Sequence, residues 1–492
     1  MLLTSILCVP LAVGLLCLLA RPRALVEALN LAGFVIVLIL SLKLVLTVVA
    51  MPGGVLVERG QFLRADALSA WMALLIACVS LASTLYAAPY FRRELAEGAV
   101  SPRRWREFYV LTPLFATGML LVVLANNLGV MWIAVEATAL SSVLLVALYN
   151  RKTSLEAAWK YVMLGGLGLV LALFGTILTY AAAIVQPRHE MANFNWSSLL
   201  ALAPQMDPHL MTLAFVFALV GYGTKAGLAP MHTWLPDAHS EAPSPTSAML
   251  SGVSLKVALY ALLRFHILTT ACLGTGLSRH LLLGFGLFSM LLAGPFILMQ
   301  KNLKRMLAYS SLEHVGLICA GVGMNAPLAV FGAMLHMGFH ALTKPVLFFA
   351  AGNIQQHYHT LEFRRIGSGL ARTMPATALL LGLAGAAVCG LPPFGLFLSE
   401  LTVIVGGFSS QQSWVSVVIV ASLIVVFCGV LNKFSHMLLG PAPEGATREG
   451  ISLGRAAAMC LPLAALLLLT ARLPVSLCQL LEQAAIIIRG SP

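Results

Sequence analysis

Apolar runs of about 17–25 residues follow one another along nearly the whole chain, separated by short polar segments. Each run is long enough to cross the ~30 Å hydrocarbon core of a bilayer as a helix. Fourteen such spans are read, at roughly 2–20, 25–50, 68–90, 108–124, 126–149, 157–184, 209–230, 244–268, 281–300, 305–323, 327–352, 373–403, 413–437 and 456–471. The pattern predicts an all-α polytopic membrane protein of about 14 transmembrane helices, with the tail 474–488 as a lateral or interfacial helix. The first span has no basic segment before it and no small-residue cleavage site after it, so it reads as a retained helix rather than a signal peptide.

Composition agrees: 60% of the residues are hydrophobic and only 10% charged, against about 25% charged in a soluble domain. The formal net charge of +12 could point to nucleic acid, but its distribution points to topology. Eighteen of the 30 Lys and Arg lie in the odd-numbered connections, whereas the opposite side has only Arg59, Arg64, Arg188, Arg279, Arg472 and Arg489. By the positive-inside rule the odd connections are cytoplasmic and both termini lie outside, which for a bacterial inner (cytoplasmic) membrane means the periplasm. The nine cysteines form no C-x-x-C pair or Cys/His cluster with metal spacing, and no G-x-G-x-x-G or Walker sequence is present. No cofactor is therefore expected in this chain, and redox chemistry would belong to a partner.

A few ionisable residues remain inside the spans. Lys225, in LAFVFALVGYGTKAGLAP, follows some 14 uncharged residues. A charge at that depth is costly and points to function. Gly223, Gly227 and Pro230 around it predict a broken helix 7, and such breaks at membrane depth line cavities or pathways. Glu136 has about ten uncharged residues on either side and cannot snorkel. It reads either as a structural partner of a lysine or as half of a proton switch. Burial favours the neutral form of each group unless the two pair, so a Glu136–Lys225 pair that can separate would take up and release a proton. Lys256, twelve residues into span 8, reads as a second relay station or a structural donor. His336, His340 and Lys344 stand at i, i+4 and i+8 on one helix face over about 12 Å. Such a stripe suits a hydrated proton wire; a metal would want a third ligand, and packing histidines are the bland alternative.

Glu400 follows VCGLPPFGLFLSE, where Gly390, Pro392, Pro393 and Gly395 predict a broken helix 12. Two interrupted helices five spans apart suggest an internal repeat, and five being odd, its copies are inverted. The expected organisation is 1–107 (helices 1–3), 108–268 (helices 4–8, repeat one), 281–437 (helices 9–13, repeat two) and 438–492 (helix 14 and a short tail). Lys160, Lys304 and Arg305 begin spans and read as interfacial anchors, Glu313 as nearer a helix end, and Lys43 and Arg264 as snorkelling or lipid-facing. Asp237, His239 and Glu241 are read at the cytoplasmic mouth, either gathering protons or capping a loop.

Two long segments, GTKAGLAPMHTWLPDAHSEAPSPTSAMLSG and KNLKRMLAYSSLEHVGL, resemble the signatures of the antiporter-like membrane subunits of respiratory complex I, the Mrp antiporters and group 4 [NiFe] hydrogenases. The resemblance covers nearly the whole chain. VMWIAVEATALSSVLLVALY, SLEAAWKYV and LPPFGLFLSE look most like the F component of hydrogenase-4-type complexes related to formate hydrogenlyase, and also like the M-type subunit of complex I. The resemblance implies fourteen helices with two inverted five-helix repeats. It implies roles for Glu136 on helix 5, Lys225 on broken helix 7, Lys256 on helix 8 and Glu400 on broken helix 12, with His336, His340 and Lys344 along the hydrophilic axis between. The chain ends soon after span 14, unlike the larger L-type subunits.

The expected function is a proton-translocating antiporter-like subunit of an oxidoreductase complex. Its partners would be other antiporter-like and small membrane subunits, hydrogenase-like large and small subunits carrying a NiFe centre, and iron–sulfur proteins. The alternatives are a redox-independent cation/proton antiporter module, an M-type subunit of a complex I-like NADH/quinone oxidoreductase, and a structural subunit with a vestigial channel.

Overall fold

The computed structural model describes residues 1–184, 193–441 and 447–490. The helices in chain order are α1 (Leu2–Leu19), α2 (Arg23–Ala50), α3 (Ala67–Ala96), α4 (Pro102–Leu124), α5 (Leu128–Val146), α6 (Lys152–Ile184), α7 (Trp196–Leu202), α8 (Pro208–Ala226), α9 (Trp234–Glu241), α10 (Ser244–Met249), α11 (Leu255–Leu273), α12 (Gly276–Met299), α13 (Leu303–Met324), α14 (Pro327–Tyr358), α15 (Phe363–Ile366), α16 (Leu370–Thr373), α17 (Pro375–Val388), α18 (Gly395–Ser409), α19 (Ser413–Leu438), α20 (Leu453–Ala471) and α21 (Val475–Arg489). A small antiparallel hairpin, β1 (Leu56–Glu58) and β2 (Leu63–Ala65), joins α2 to α3.

Among the described residues, eleven helices are long and apolar enough to cross a membrane. The other three expected spans fall on α13, on α14 and on the broken pair α17–α18, so every predicted span has its helix. Span 7 is α8 followed by α9. The segment WLPDAHSE, read as a loop at the mouth, is thus the second half of the broken helix. Its polarity hid it, because it packs against α6 and α13 rather than lipid. The 474–488 tail is helical, as α21.

Contacts between the connecting segments sort them onto two ends. At one end the hairpin holds the N-terminus, with the Met1 amine 2.7 Å from Glu58. Burial by itself would raise the Glu58 carboxyl, but that amine and donors on Leu3 and Thr4 outweigh it and hold it down at about 2. At the other end lie the arginine-rich connections, tied by Arg93 to Glu449 and by Arg106 to the Ala20 carbonyl at 2.9 Å. These are called the hairpin end and the basic end. Arg188, counted at the hairpin end from sequence, lies outside the described residues. Around the periphery large apolar side chains such as Ile133, Leu140, Leu167, Leu379 and Leu468 are exposed, while lysines and histidines are buried at the centre, the inverse of a water-soluble protein.

The repeat is written into the backbone. The Asn127 side chain caps α5 and the Asn302 side chain caps α13. Each of these asparagines also forms a β-bridge with the segment that follows the next helix of its own repeat, Asn195 after α6 and Glu362 after α14. The Leu128 amide donates to Phe194 O at 2.9 Å, and Leu303 to Leu361 O at 3.0 Å. One bridge sits at the hairpin end and its counterpart at the basic end, so the copies are inverted.

The two helix breaks also correspond, turn for turn. α8 stops at Gly227 (φ +79°) and α17 at Gly390 (φ +65°). In both, the next amide reaches back to close the helix, Leu228 N to Gly223 O at 2.9 Å and Leu391 N to Ala386 O at 3.1 Å, the Schellman arrangement that glycine in the left-handed region permits. Each break then holds a cis X–Pro bond, Ala229–Pro230 and Pro392–Pro393. The aligned tetrapeptides are Gly-Leu-Ala-Pro and Gly-Leu-Pro-Pro.

Candidate functional site

Lys225 occupies the last turn of α8, almost fully buried. Its ammonium donates to the Tyr161 hydroxyl of α6 and lies 4.6 Å from the centre of that ring. The Tyr161 hydroxyl meets Ser142 Oγ of α5 at 2.8 Å. Trp234, opening α9, stacks on Tyr161 with centroids 4.3 Å apart and donates its indole N–H to Thr224 O at 2.8 Å. The two halves of the broken helix therefore clasp the same tyrosine.

Glu136 stands apart from this group. It is half-buried on the face of α5 that also presents the exposed Ile133 and Leu140. Among the described residues it has no hydrogen bond or ion pair, so the expected Glu136–Lys225 pair is not formed here. Tyr161 holds the ammonium instead.

A second group surrounds Lys256. A π-helical turn (Leu250–Ser254) links α10 to α11, and Lys256 folds back over it to donate to Gly252 O at 2.6 Å and Ser251 O at 3.2 Å. Its third partner is His340 Nδ1 at 2.7 Å. The His314 ring lies 4.8 Å from His340, centre to centre, and His314 Nδ1 meets His336 Nε2 at 3.0 Å. His336 Nδ1 continues to Ser399 Oγ of α18 at 2.9 Å. Glu400 is next in sequence, buried, with Oε1 unpartnered and Oε2 packed against the Gly390 break: a Cβ built on Gly390 would sit 2.1 Å from it. Lys344 donates to Leu307 O at 3.0 Å and Ser310 Oγ at 2.9 Å. No hydrogen bond joins the Lys225–Tyr161 group to the Lys256–histidine group among the described residues.

The structure thus brings Lys256, His336 and His340 together beside Glu400 as two bonded sets, Lys256–His340 and His314–His336–Ser399, in ring contact through His314 and His340. It places Lys344 on the same helix as His336 and His340, and leaves Lys225 and Glu136 in separate surroundings. It adds Glu313 and His314, which the sequence places among the ionisable residues of the spans but to which it assigns no role. Glu313 is fully buried at mid-helix in α13, not near an end, with Oε2 3.2 Å from His314 Nδ1. His314 joins the histidines from a different helix. Both lie adjacent inside KNLKRMLAYSSLEHVGL, so a charged pair within an apolar stretch was the available signal.

Two residues expected at the periphery, Lys304 and Arg264, differ from expectation. Lys304 is buried and donates to Ala242 O at 3.0 Å and Gln355 Oε1 at 3.1 Å. Arg264 is not lipid-facing: it makes a bidentate pair with Asp66, both bonds 2.7 Å, and also reaches Ser69 and Tyr260. Lys160 does sit near the basic end, 3.0 Å from Asp237, which Arg305 also engages. His239 is buried and stacks on Phe348, with neither ring nitrogen bonded.

One donor atom from each of His314, His336 and Glu400 falls within 4.8 Å of the others, close enough for a metal ion. Both ring nitrogens of His336 are already engaged, by His314 and by Ser399, so a metal there would displace one of those bonds, beside a histidine already bonded to an ammonium. The donor set fits a chain of proton donors and acceptors better.

Residues 125–425 match the family described as NADH:quinone oxidoreductase/Mrp antiporter, TM. The chain is 39% identical over 386 residues to a hydrogenase-4 component F homolog from Methylacidiphilum infernorum, covering 78% of this chain and 80% of that one. In fold it resembles a chain of the Mrp complex from Dietzia sp., with a TM-score of 0.86, 21% identity and 98% and 96% of the two chains covered. It also resembles a chain of respiratory complex I from Thermus thermophilus, with a TM-score of 0.81, 24% identity and 99% and 100% covered. With the inverted repeat, the two breaks and the buried lysines all in place, the chain belongs to the transmembrane family shared by the NADH:quinone oxidoreductases and the Mrp antiporters.

Proposed function

We propose that this chain is a proton-translocating antiporter-like subunit of a membrane-bound, [NiFe] hydrogenase-type respiratory complex in the bacterial inner membrane. The carrying observation is the buried row Lys256–His340, His314–His336–Ser399 and Glu400, spread over α11, α13, α14 and α18. Buried ionisable groups without firm counter-charges are costly, and function is what retains them. The 39% identity to a hydrogenase-4 component F homolog supports the hydrogenase-type assignment.

In this reading Lys225 is the switch. Its ammonium is charged while Tyr161 and a nearby carboxylate stabilise it, and it gives up its proton when that support moves away. Glu136, on the outer face of α5, is the carboxylate that approaches and withdraws. Lys256 and the histidines pass the proton on, each imidazole accepting at one nitrogen and donating at the other, with Lys344 held in reserve on the same helix. Glu400, lodged in the second break, exchanges it with the far side. The arginine-rich end faces the cytoplasm and both termini face the periplasm. The free energy comes from partner subunits: hydrogenase-like large and small subunits and iron–sulfur proteins holding the NiFe centre and clusters, with other antiporter-like and small membrane subunits beside this chain.

The test joins composition to transport. A tagged chain isolated in mild detergent should bring [NiFe] hydrogenase-like subunits with it. In inverted vesicles, Lys225→Met should abolish proton uptake while leaving part of the partner's redox turnover. An unchanged proton-to-electron ratio in that variant would overturn the assignment. The fold likeness to a chain of the Mrp complex supports a second reading, a redox-independent cation/proton antiporter. Co-isolation of small antiporter subunits with no redox partner, and sodium-dependent exchange, would select it.

A further inference from the structure

Away from the row of ionisable groups, a cavity of about 500 Å³ opens between α2, α3, α14, α20 and the start of α21. Its lining is apolar apart from Ser476. The exposed Leu42 and Leu46 form a lateral mouth toward the lipid, and Trp71, Gly338 and Phe339 form the inner wall. On α2 the lining runs from Leu46 down to Leu38, eight residues. At 1.5 Å per residue that is about 12 Å, most of one leaflet of a hydrocarbon core ~30 Å thick. The cavity therefore has the polarity, sideways opening and depth of a slot for one hydrocarbon chain.

Its rim carries charge of one sign. Lys43 directly follows the lining residue Leu42, and Arg472 directly precedes Leu473; both are exposed. Neither side chain has a hydrogen-bond or ion-pair partner among the described residues. Lys43 lies within the last two turns of α2, where a lysine stem runs along apolar surface and lifts its ammonium to the headgroup level. Arg472 already stands at that level, where α20 ends. Two free cations flanking an apolar slot match a phosphate above an acyl chain.

We propose that this cavity binds an anionic phospholipid, one acyl chain between α2 and α14 and the phosphate between Lys43 and Arg472. The bound chain rests against a wall shared with the row of ionisable groups. Trp71 lies against Gly338 and donates to Met334 O at 3.2 Å, two residues before His336. Phe339 packs on Gly395, the first residue of the helix that carries Ser399 and Glu400. The lipid would be a fixed part of the subunit rather than one of its exchanging neighbours.

The test uses the intact complex in nanodiscs of equal parts phosphatidylcholine and phosphatidylglycerol. Native mass spectrometry should retain one phosphatidylglycerol on this chain, and a diazirine-bearing phosphatidylglycerol should label the Leu473–Ser476 segment and α2 near Leu42. Lys43→Gln with Arg472→Gln, both on the surface, should lower the preference for phosphatidylglycerol by roughly ten- to thirtyfold. Leu469→Trp, which fills the slot, should abolish retention and labelling. Labelling spread evenly around the lipid-facing helices, or no preference between the two lipids, would overturn the proposal. So would a photo-crosslink from a residue-469 probe to a neighbouring polypeptide, which would show a partner helix in the slot.

Discussion

Two cations lie buried eight residues apart on α11, and they are held in opposite ways. Arg264 is gripped by both oxygens of Asp66, by Ser69 and by Tyr260, and its guanidinium lies 4.5 Å from the centre of the Trp196 ring. Its charge is matched and its donors are used, so it has one state. Lys256 has two carbonyls and one histidine nitrogen, and no carboxylate. Its proton can pass to His340 without stranding a counter-ion. Burial alone therefore does not mark a moving proton. What marks it is burial without a matched opposite charge, in bonding range of a group that can take the proton.

The largest expected effect tests the locked cation. Asp66→Asn leaves the Arg264 guanidinium buried without its counter-ion, which costs about 3–5 kcal/mol, read as a large fall in thermal unfolding temperature in detergent. Lys256→Met should change stability by no more than ~1 kcal/mol, yet slow proton transfer about a hundredfold or more in reconstituted vesicles. If Lys256→Met unfolded the protein as Asp66→Asn does, the contrast would collapse and the lysine would be structural as well.

The two breaks give the next test. Gly227→Ala and Gly390→Ala each place a side chain in the left-handed region, at about 1 kcal/mol. At Gly227 the new Cβ would meet Leu235 at an ordinary 3.4 Å, whereas at Gly390 it would collide with Glu400 Oε2. Gly390→Ala should thus be the less stable of the pair in thermal unfolding, and the slower in proton transfer. Tyr161→Phe removes only the hydroxyl between Lys225 and Ser142, and should slow transfer by about tenfold with little change in stability. The smallest effect is at Glu58. Its carboxyl is held low, so its pair with the N-terminal amine contributes fully above the ordinary carboxylate value and is lost as pH falls toward about 2. Glu58→Gln should differ from the parent in unfolding temperature at pH 6 and converge with it in strong acid.

The spans were legible because hydropathy and the basic connections gave two independent readings of one topology. What escaped was set by tertiary contact. WLPDAHSE is polar enough to read as loop, yet its surroundings are other helices. Lys304 looked like an anchor and Arg264 like a snorkelling or lipid-facing residue because sequence shows distance to a helix end, not what fills the space around the side chain. Lys225 and Glu400 looked like equivalents in two copies. Aligned on their breaks, Lys225 corresponds to Val388, and Glu400 to Asp237, which bonds Lys160 and Arg305 at the basic end. The copies share a backbone device and differ in its cargo. Glu313–His314 needed a third dimension, since its partner histidine comes from another helix.

The separation between the Lys225–Tyr161 group and the Lys256–histidine group has an electrical meaning. An unbroken conductor from one face to the other would let a charged membrane run down through the very protein meant to charge it. In the proposed mechanism the two groups are conducting segments with an insulating step between them, a circuit with its breaker open. Current flows only during the moment when something closes it, and the voltage already stored is kept.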